Sequence, residues 1–535
     1  MDNFRVPARS VSRPKQTLDG FVRRPVARQP VAPQMPVQQP ATTVVSPVQP
    51  PPEVESTPAV SAPSRSLPKL DLSLDDAPAA ERRKNRLSAG RTFRMWALRG
   101  GLAMFLLLFA VGGLLFAQGY LKLHKVFKGG ASHAAALQSD VSPTLLKGEG
   151  DGRVNILLLG NGGDGHDGPD LTDTMMVASI DPVNKTAALL SVPRDLWVKM
   201  PTNFMGNYQK INAAYESGKY SYLGKQDASN GNTKAVEAGF KSADQAVSQV
   251  LGITIHYNAV VDFSAFKQAV DTLGGVNVNV PTQLYDPTMA WENNWNPVLA
   301  KAGPQTMNGK QALLYARSRE TSSDFARGER QRLLITAIKQ KAVSLGTLSN
   351  PIKISQLMGA FGNNAVTDMS LSDAVRLYDL TKGISDSSIQ SLDLVTAPNN
   401  FITTGNMNGT SIDEPTAGLY NYNAIQIYVR SNLKDGYIAK ENAQVTVLNG
   451  TNTPGLATTK ANELKSYGYN VTKVDNAPTT SYPKTVLVDL TNGADKYTKH
   501  YLENRYGVTA TTKLPDSSIQ PNGANFVIIL GQDQL

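Results

Sequence analysis

Apolar runs and periodic patterns divide most of the chain beyond residue 150 into strands and helices. Residues 154–160 form an apolar run, interrupted only by Asn155, that ends at a glycine loop, which predicts a buried strand. Further strands are predicted at 175–180, 186–192, 258–263 and 276–280, and helices at 242–251, 264–273, from about 310, and at 327–345. This alternation predicts an α/β domain with a central mixed sheet flanked by helices over residues 151–395.

A second, smaller α/β pattern occupies residues 443–535. Strands are predicted at 444–448, 471–474, 485–490 and 526–529, with helices at 455–467 and 494–506. The Thr/Asn/Gly-rich residues 396–442 are expected to link the two domains, and the polar residues 203–234 to form a long loop. We therefore expect two folded domains joined in sequence.

Residues 100–121 are uncharged and apolar for a length that can span a bilayer as one helix. Seven Lys or Arg residues lie between 82 and 99 just before this segment, and only Lys122, Lys125 and Lys128 follow closely. The positive-inside rule predicts a single-pass cell-membrane protein, with a cytoplasmic N-terminus and both predicted folded domains (151–395 and 443–535) extracytoplasmic. Residues 122–150 are expected to form a juxtamembrane stalk.

Charge and composition set the N-terminal residues 1–99 apart from the rest. They carry 16 Lys and Arg against 8 Asp and Glu, whereas residues 100–535 carry 37 against 36. Because 15 of the 32 prolines lie in the first 80 residues, we expect a disordered, Pro-rich cytoplasmic tail. The near-neutral body argues against nucleic-acid binding, and the absence of cysteine excludes thiolate chemistry and disulfides.

The loop after the first strand is rich in glycine and aspartate. Asp164 and Asp173 are its candidate metal ligands, since carboxylates hold Mg²⁺, which in turn bridges phosphates. An acidic, solvated surface loop built from Asx turns is the alternative. The loop lacks the Gly-Lys-Ser/Thr ending of a nucleotide-binding P-loop, so nucleotide-driven chemistry is not expected.

Basic residues recur where predicted elements end. Arg194 follows a strand, Arg317 and Arg319 follow a helix, and Arg327 and Gln331 are four apart on the next predicted helix and so share a face. Guanidinium groups grip phosphate oxygens in pairs, so this set predicts a diphosphate site. A structural network of salt bridges is the alternative, and Arg330 is expected to point elsewhere. The five histidines are scattered, and no Ser/His/Asp constellation is visible.

Eight linked motifs resemble the LytR-CpsA-Psr family of cell-envelope proteins. They are the strand and acidic loop at 154–173, TDTMMV at 172–177, SVPRD at 191–195, KINAAY at 210–215, VDF at 261–263, LGGV at 273–276, YARSR at 315–319 and DFARGERQ at 324–331. Residues 443–535 resemble the accessory C-terminal domain of the LytR type.

The resemblance implies a phosphotransferase that moves a glycopolymer from a polyprenyl-diphosphate lipid onto peptidoglycan or a similar envelope acceptor. It implies a hydrophobic tunnel for the lipid beneath the sheet, and Mg²⁺, which Mn²⁺ can replace, on Asp164 and Asp173. The implied diphosphate-binding residues are Arg194, Lys210, Arg317, Arg319, Arg327 and Gln331; the implied catalytic residues are Arg194, Asp195 and Asp173.

The sequence departs from the family pattern at two places in the acidic loop. Gly162 stands where the first metal-binding aspartate is usual, which is why Asp164 is assigned that role, and Leu171-Thr172 stand where an arginine is usual. Two alternatives to transfer follow: hydrolysis of the lipid diphosphate, and a non-catalytic lipid-binding scaffold. Transcriptional attenuation is disfavoured because the body is predicted to lie across the membrane from DNA.

Overall fold

The structure is a computed structural model. It describes residues 126–127, 129, 134–138, 141–224, 232–319, 324–344, 361–362, 364–396 and 398–535. The expected tail (1–99) and membrane span (100–121) lie outside these residues. Among the helices that are described, none combines the length and the hydropathy needed to cross a bilayer.

A six-stranded mixed sheet forms the centre of the larger domain. Its strand order is β11-β6-β1-β2-β3-β12, in which β1 pairs with β6 and β3 with β12 in parallel while the other neighbours are antiparallel. The predicted central mixed sheet is thus confirmed. The strands of the domain are β1 (Val154–Asn161), β2 (Thr174–Asp181), β3 (Thr186–Ser191), β4 (Trp197–Lys199), β5 (Tyr208–Lys210), β6 (Tyr257–Asp262), β7 (Val276–Val280), β8 (Leu284–Tyr285), β9 (Val298–Ala300), β10 (Gly303–Met307), β11 (Ala365–Thr367), β12 (Ile389–Leu392), β13 (Ile402–Met407) and β14 (Thr410–Pro415).

Helices cover both faces of this sheet. The described helices of residues 126–442 are α1 (Ala214–Leu223), α2 (Thr233–Leu251), α3 (Phe263–Thr272), α4 (Gly309–Arg317), α5 (Asp324–Ser344), α6 (Leu371–Thr381), α7 (Asn423–Asn432) and α8 (Gly436–Glu441), with 3₁₀ turns at Ala135–Leu137, Pro143–Leu145, Ile211–Ala213, Pro287–Asn293 and Asp386–Ser388.

The two faces of the sheet are packed unequally. Leu157 and Leu159 of β1 join a core with α2 and α7 in which the side chains from the sheet itself are all buried. Their neighbours Val154 and Ile156 point to the opposite face, as strand alternation requires. That second face includes apolar side chains that are only partly buried: Leu158, Ala178, Ala187, Leu377, Leu380 and Ile389.

Residues 203–234, expected to form a long loop, contain β5 and helix α1. The helix was missed because several of its buried side chains are polar, among them Glu216, Ser217 and Lys219. A search for an apolar stripe does not find such a helix, since its burial depends on partners elsewhere in the chain.

The expected linker 396–442 contains the β13–β14 hairpin and helices α7 and α8. Ile402, Tyr422, Ile425 and Val429 of this segment belong to the main core. In the expected stalk, Val141 and Leu146 pack into the core of the smaller domain. Both segments therefore pack against folded parts of the protein.

The smaller domain has a four-stranded sheet of order β16-β15-β18-β17. Its elements agree with the predicted strands and helices to within about two residues: β15 (Gln444–Asn449), α9 (Leu456–Tyr467), β16 (Asn470–Asn476), β17 (Val486–Asp489), α10 (Lys496–Tyr506), β18 (Phe526–Leu530) and a 3₁₀ turn at Gln532–Gln534. This domain is α/β, as expected.

A cation-rich candidate active site

Arg194 lies where β3 has ended and the chain turns away through Val192 and Pro193. One of its guanidinium nitrogens is 2.5 Å from Oδ1 of Asp173, which directly precedes β2. The side-chain amide of Asn212 donates to the same carboxylate oxygen at 3.3 Å. Because β2 and β3 are antiparallel neighbours, the start of one strand and the end of the other bring Asp173 and Arg194 together.

Asp195 lies at the centre of a cluster of cations. Its carboxylate accepts a hydrogen bond from Nζ of Lys210 at 2.7 Å, and lies 3.3 Å from Nε of Arg194 and 3.7 Å from Arg319. Burial favours the neutral acid. Even so, the Lys210 hydrogen bond and the charges of Arg194, Lys210 and Arg319 together hold the pKa of Asp195 below its usual value. Asp195 is therefore ionised at neutral pH.

The arginine pair at 317 and 319 is divided by the end of a helix. Arg317 is the last residue of α4, and Ser318 is extended, with φ −53° and ψ 137°. Arg317 contacts Glu292 at 2.9 Å and lies over the Phe263 ring at 4.6 Å, whereas Arg319 turns to Asp195. The helix end thus allows two nearby arginines to contact different partners.

Asp286 holds this arginine segment in place. It is fully buried and accepts hydrogen bonds from Oγ of Ser318 at 2.7 Å and from the backbone N–H of Arg319 at 3.3 Å. Asp286 also caps the 3₁₀ turn Pro287–Asn293. Asp286 and Glu292 were not among the site residues predicted from the sequence. The Asp-Pro pair at 286–287 is a helix-start signal that could have indicated Asp286.

Arg327 and Gln331 line the same small pocket, as their four-residue spacing predicted. The pocket also includes Thr174, Ser191 and Pro193, and the Gln331 amide donates to Oγ1 of Thr174 at 3.1 Å. The pocket therefore adjoins the strand ends that carry Asp173 and Arg194.

Arg330, on the same helix, points elsewhere, as expected. It is buried and donates to the backbone carbonyl oxygens of Tyr315 (2.9 Å) and Ser318. Burial lowers the pKa of its guanidinium. Arg330 therefore supports the end of α4.

The acidic loop contains the candidate metal ligands Asp164 and Asp173. Asp164 is exposed. It lies near Asp262: burial raises the pKa of Asp262, and the negative charge of Asp164 adds to that rise. A Cβ atom at Gly162 would lie 2.8 Å from Cβ of His166, so this loop conformation does not admit an aspartate there. Within the described part of the chain, no group of three or more His, Cys, Asp or Glu side chains forms a metal cluster.

Asp170, in the same loop, belongs to a buried ion pair. Nζ of Lys219 on α1 lies 2.9 Å from both of its carboxylate oxygens, and the two side chains are 0% and 3% exposed. Burial raises the pKa of Asp170, while the charge of Lys219 opposes the rise. This pair ties the acidic loop to α1. Nothing in the sequence predicts that Asp170 and Lys219 pair with each other.

Two family models match the chain. The LytR_cpsA_psr family matches residues 120–421, and a model described as LytR cell envelope-related transcriptional attenuator matches residues 442–533. The chain is 30% identical to the Bacillus subtilis polyisoprenyl-teichoic acid–peptidoglycan teichoic acid transferase TagV over 236 residues, which is 43% of this chain and 54% of TagV. It is 26% identical to TagT of the same organism, over 59% of this chain and 89% of TagT.

A cell wall biosynthesis protein of Corynebacterium glutamicum, LcpA, is 28% identical over 58% of this chain and 60% of its own length. Among solved structures, B. subtilis TagV aligns with a TM-score of 0.39 and 26% identity, covering 52% of this chain and 97% of that one. TagT bound to LIIa-WTA aligns with a TM-score of 0.40 and 24% identity, covering 58% and 98%. Since the first model covers more than half of the chain, the protein belongs to the LytR-CpsA-Psr family.

Proposed function

We propose that this protein is a membrane-anchored phosphotransferase that moves a glycopolymer from a polyprenyl-diphosphate carrier onto peptidoglycan or a similar envelope acceptor. The observation that carries the proposal is the convergence of Arg194, Lys210 and Arg319 on Asp195. The teichoic acid transferase activities of TagV and TagT support it, although the chain spans only 54% of TagV.

The cation cluster suits a diphosphate. Arg194, Lys210 and Arg319 converge on the carboxylate of Asp195, and Arg194 also contacts Asp173. The Arg194, Lys210 and Arg319 side chains are 19–41% exposed, so an anion can reach them. Phosphoryl transfer depends mostly on positioning and on neutralising the charge that spreads over phosphoryl oxygens. These residues, with Arg317, Arg327 and Gln331 beside them, would do both.

Asp195 would act as a positioning residue. A general base works best when its pKa lies near the operating pH, and the surrounding cations hold the pKa of Asp195 below its usual acidic value. Its contacts with Arg194, Lys210 and Arg319 instead fix those side chains before the substrate arrives. Asp195 is therefore less suited to accept the proton of the acceptor hydroxyl.

Asp173, with Asp164 as the second ligand, would hold Mg²⁺ or Mn²⁺. Mg²⁺ is usually bound by one or two protein carboxylates together with substrate phosphates and water, so a large cluster of acids is not required. Asp173 is 46% exposed and can face a ligand while Arg194 contacts one of its oxygens. When bound, the ion would neutralise phosphate charge.

The less tightly packed face of the sheet is suited to the polyprenyl chain. Its apolar residues Leu158, Ala178, Ile389, Leu377 and Leu380 are only partly buried, and a lipid between the sheet and α6 would cover them. This placement supports the expected tunnel. We also propose the membrane topology given above: tail (1–99) inside, span (100–121), and both folded domains outside.

The test uses the full chain in detergent micelles with a polyprenyl-diphosphate-linked oligosaccharide, Mg²⁺ and peptidoglycan fragments. Mass spectrometry would detect a phosphodiester-linked product. We expect wild type to form it and Arg317→Ala to lose it, because Arg317 is partly exposed beside the site. Lys382→Ala is the matched control and should retain full activity. It removes an exposed lysine that directly follows α6 and pairs with Asp379 of that helix.

Two outcomes would favour other functions. Free phosphorylated glycan without linked product would identify a hydrolase that uses the same site. Tight lipid binding without turnover would favour the non-catalytic scaffold, whose specific support is the missing carboxylate at Gly162. Equal product from wild type and Arg317→Ala would contradict the assigned diphosphate site.

A further inference from the structure

Two tryptophans lie exposed beside the cation-rich site. Trp291 and Trp295, in and just after the 3₁₀ turn Pro287–Asn293, are 61% and 82% exposed. Large aromatic side chains stabilise folded proteins mainly by being buried, and these two contribute little in that way. We call residues 285–297 the tryptophan loop.

The backbone of this loop is strained where it presents Trp295. Asn294 and Trp295 are consecutive residues with φ of +54° and +62°. Asparagine tolerates the left-handed region, but for a bulky residue it is unfavourable. An exposed tryptophan gains no packing energy to offset this cost, and such outliers cluster at ligand-binding positions.

Hydrogen bonds hold the loop in this conformation. The backbone N–H of Trp295 donates to Ala290 O at 2.7 Å. The Asn293 side-chain amide donates to the carbonyl oxygens of Asn296 and Val298 at 2.9 and 3.0 Å. Asp286 closes the base by donating its N–H to Pro297 O at 2.8 Å. The two rings are therefore presented by a well-connected loop.

The loop is linked directly to the arginines. Glu292 follows Trp291 and contacts Arg317 at 2.9 Å. The buried Asp286 carboxylate also accepts from Ser318 and Arg319. Whatever Arg317 and Arg319 bind thus lies next to the loop that carries the rings.

Charge decides between two occupants that exposed tryptophans suit, a membrane surface and a sugar. The tryptophan loop includes two acids, Asp286 and Glu292, and no Lys or Arg. Anionic lipid surfaces attract basic segments, so this loop is poorly suited to them. An uncharged sugar ring presents C–H groups that pack against the electron-rich face of an aromatic ring, and it needs no positive charge.

We propose that Trp291 and Trp295 form a stacking platform for the uncharged sugar residues of the lipid-linked donor, next to its diphosphate. This inference rests on the proposed function, since it requires a glycan joined to the diphosphate that the arginines hold. The donor glycan is favoured over the acceptor because it is covalently continuous with that diphosphate, and the loop is anchored to the diphosphate-binding arginines.

The decisive variant is Trp295→Gly. Glycine adopts positive φ without strain, so this substitution removes the ring while relieving the backbone. We expect the thermal midpoint of the full chain in micelles to stay the same or rise. Affinity for a polyprenyl-diphosphate-linked N-acetylhexosamine disaccharide should fall roughly tenfold, the size of one lost stacking contact. Affinity for sugar-free polyprenyl diphosphate should not change.

Trp291→Ala should weaken binding of the same donor, whereas Tyr222→Ala, which removes an aromatic ring that is 51% exposed on α1, should not. Unchanged donor affinity in Trp295→Gly and Trp291→Ala would overturn the platform. Lost affinity for soluble peptidoglycan fragments alone would overturn the donor assignment, and lost binding to phosphatidylglycerol vesicles alone would indicate a membrane contact instead. If sugar-free polyprenyl diphosphate does not bind, or binds independently of Arg317, the proposed function itself fails, whatever the tryptophans do.

Discussion

The protein uses opposite charges in two different ways within a short distance along the chain. The Lys219–Asp170 pair is buried and closed to solvent. Around Asp195, three cations share one carboxylate and remain partly exposed. The first arrangement is shielded from incoming ions, whereas the second is open to solvent and, under the proposed function, would exchange a protein carboxylate for substrate phosphates.

This difference shows how a binding site can be recognised among ion pairs. A buried pair costs desolvation on both sides, and its members are fixed by their mutual attraction. A partly exposed cluster with excess positive charge keeps some of its attraction for an incoming anion. The exposure of the charges and their convergence on one carboxylate, more than the number of ion pairs, set the candidate binding site apart from the buried pair.

Lys219→Met should have the largest effect on stability. It leaves Asp170 buried without its cation, which typically costs about 3–5 kcal/mol. Thermal or urea unfolding of the full chain, followed by circular dichroism, would measure the loss. Replacing both partners, with Asp170→Leu in addition, should recover much of the stability. If the single variant is as stable as wild type, the pair is not a structural contact.

Arg319→Ala should act in the opposite sense, on activity and not on stability. Arg319 is 41% exposed and pairs at 3.7 Å, so its loss should cost little folding energy. Losing one cation from the diphosphate site should lower transfer about 100-fold. The matched variant Arg330→Ala should instead destabilise the fold, because Arg330 is buried between the carbonyl oxygens of Tyr315 and Ser318. A stability loss in Arg319→Ala larger than in Arg330→Ala would reverse this assignment.

Asp244 provides a third kind of carboxylate, half-buried on α2 with a hydrogen bond from the Asn258 amide at 3.0 Å. Burial, with the nearby charge of Asp368, raises its pKa to about 7 from 3.8. The folded state therefore holds a proton that the unfolded state releases, so stability contributed by this group falls as pH rises from about 4 to 7.

Asp244→Asn should remove that dependence. The stability of the variant relative to wild type should grow by up to about 1.4 kcal/mol per pH unit across the window and level off above pH 7. Unfolding curves at pH 4.5, 6 and 8 would measure this, with the exposed Asp379→Asn as the control. Parallel pH profiles for wild type and Asp244→Asn would disprove the raised pKa.

Asp195→Asn should have the smallest effect on binding. Removing the carboxylate leaves Arg194, Lys210 and Arg319 with more positive charge for a ligand, so affinity for inorganic diphosphate should tighten a few-fold. Turnover should fall, because the same side chains lose the contacts that position them. Calorimetry and the transfer assay would separate the two. Weaker diphosphate binding would show that Asp195 does not compete with the ligand.

The sequence alone gave the fold class, most strands and helices of both folded domains, and the family. These features depend on local periodicity and on motifs written in consecutive residues. It also identified the arginines of the cation cluster, because arginines at the ends of predicted elements are visible in one dimension, whereas Lys210 was named only through the family resemblance.

Tertiary structure decided which of those charges meet and which are closed off. Helix α1 escaped the sequence analysis because its buried Lys219 is satisfied by Asp170, 49 residues away. Glu292 and Asp286 became part of the site only through Arg317 and Ser318, and Arg330 was separated from its neighbours by burial. Local patterns record the preferences of single segments, but the free energy of a charge depends on its burial and its partners, which only the folded chain brings together.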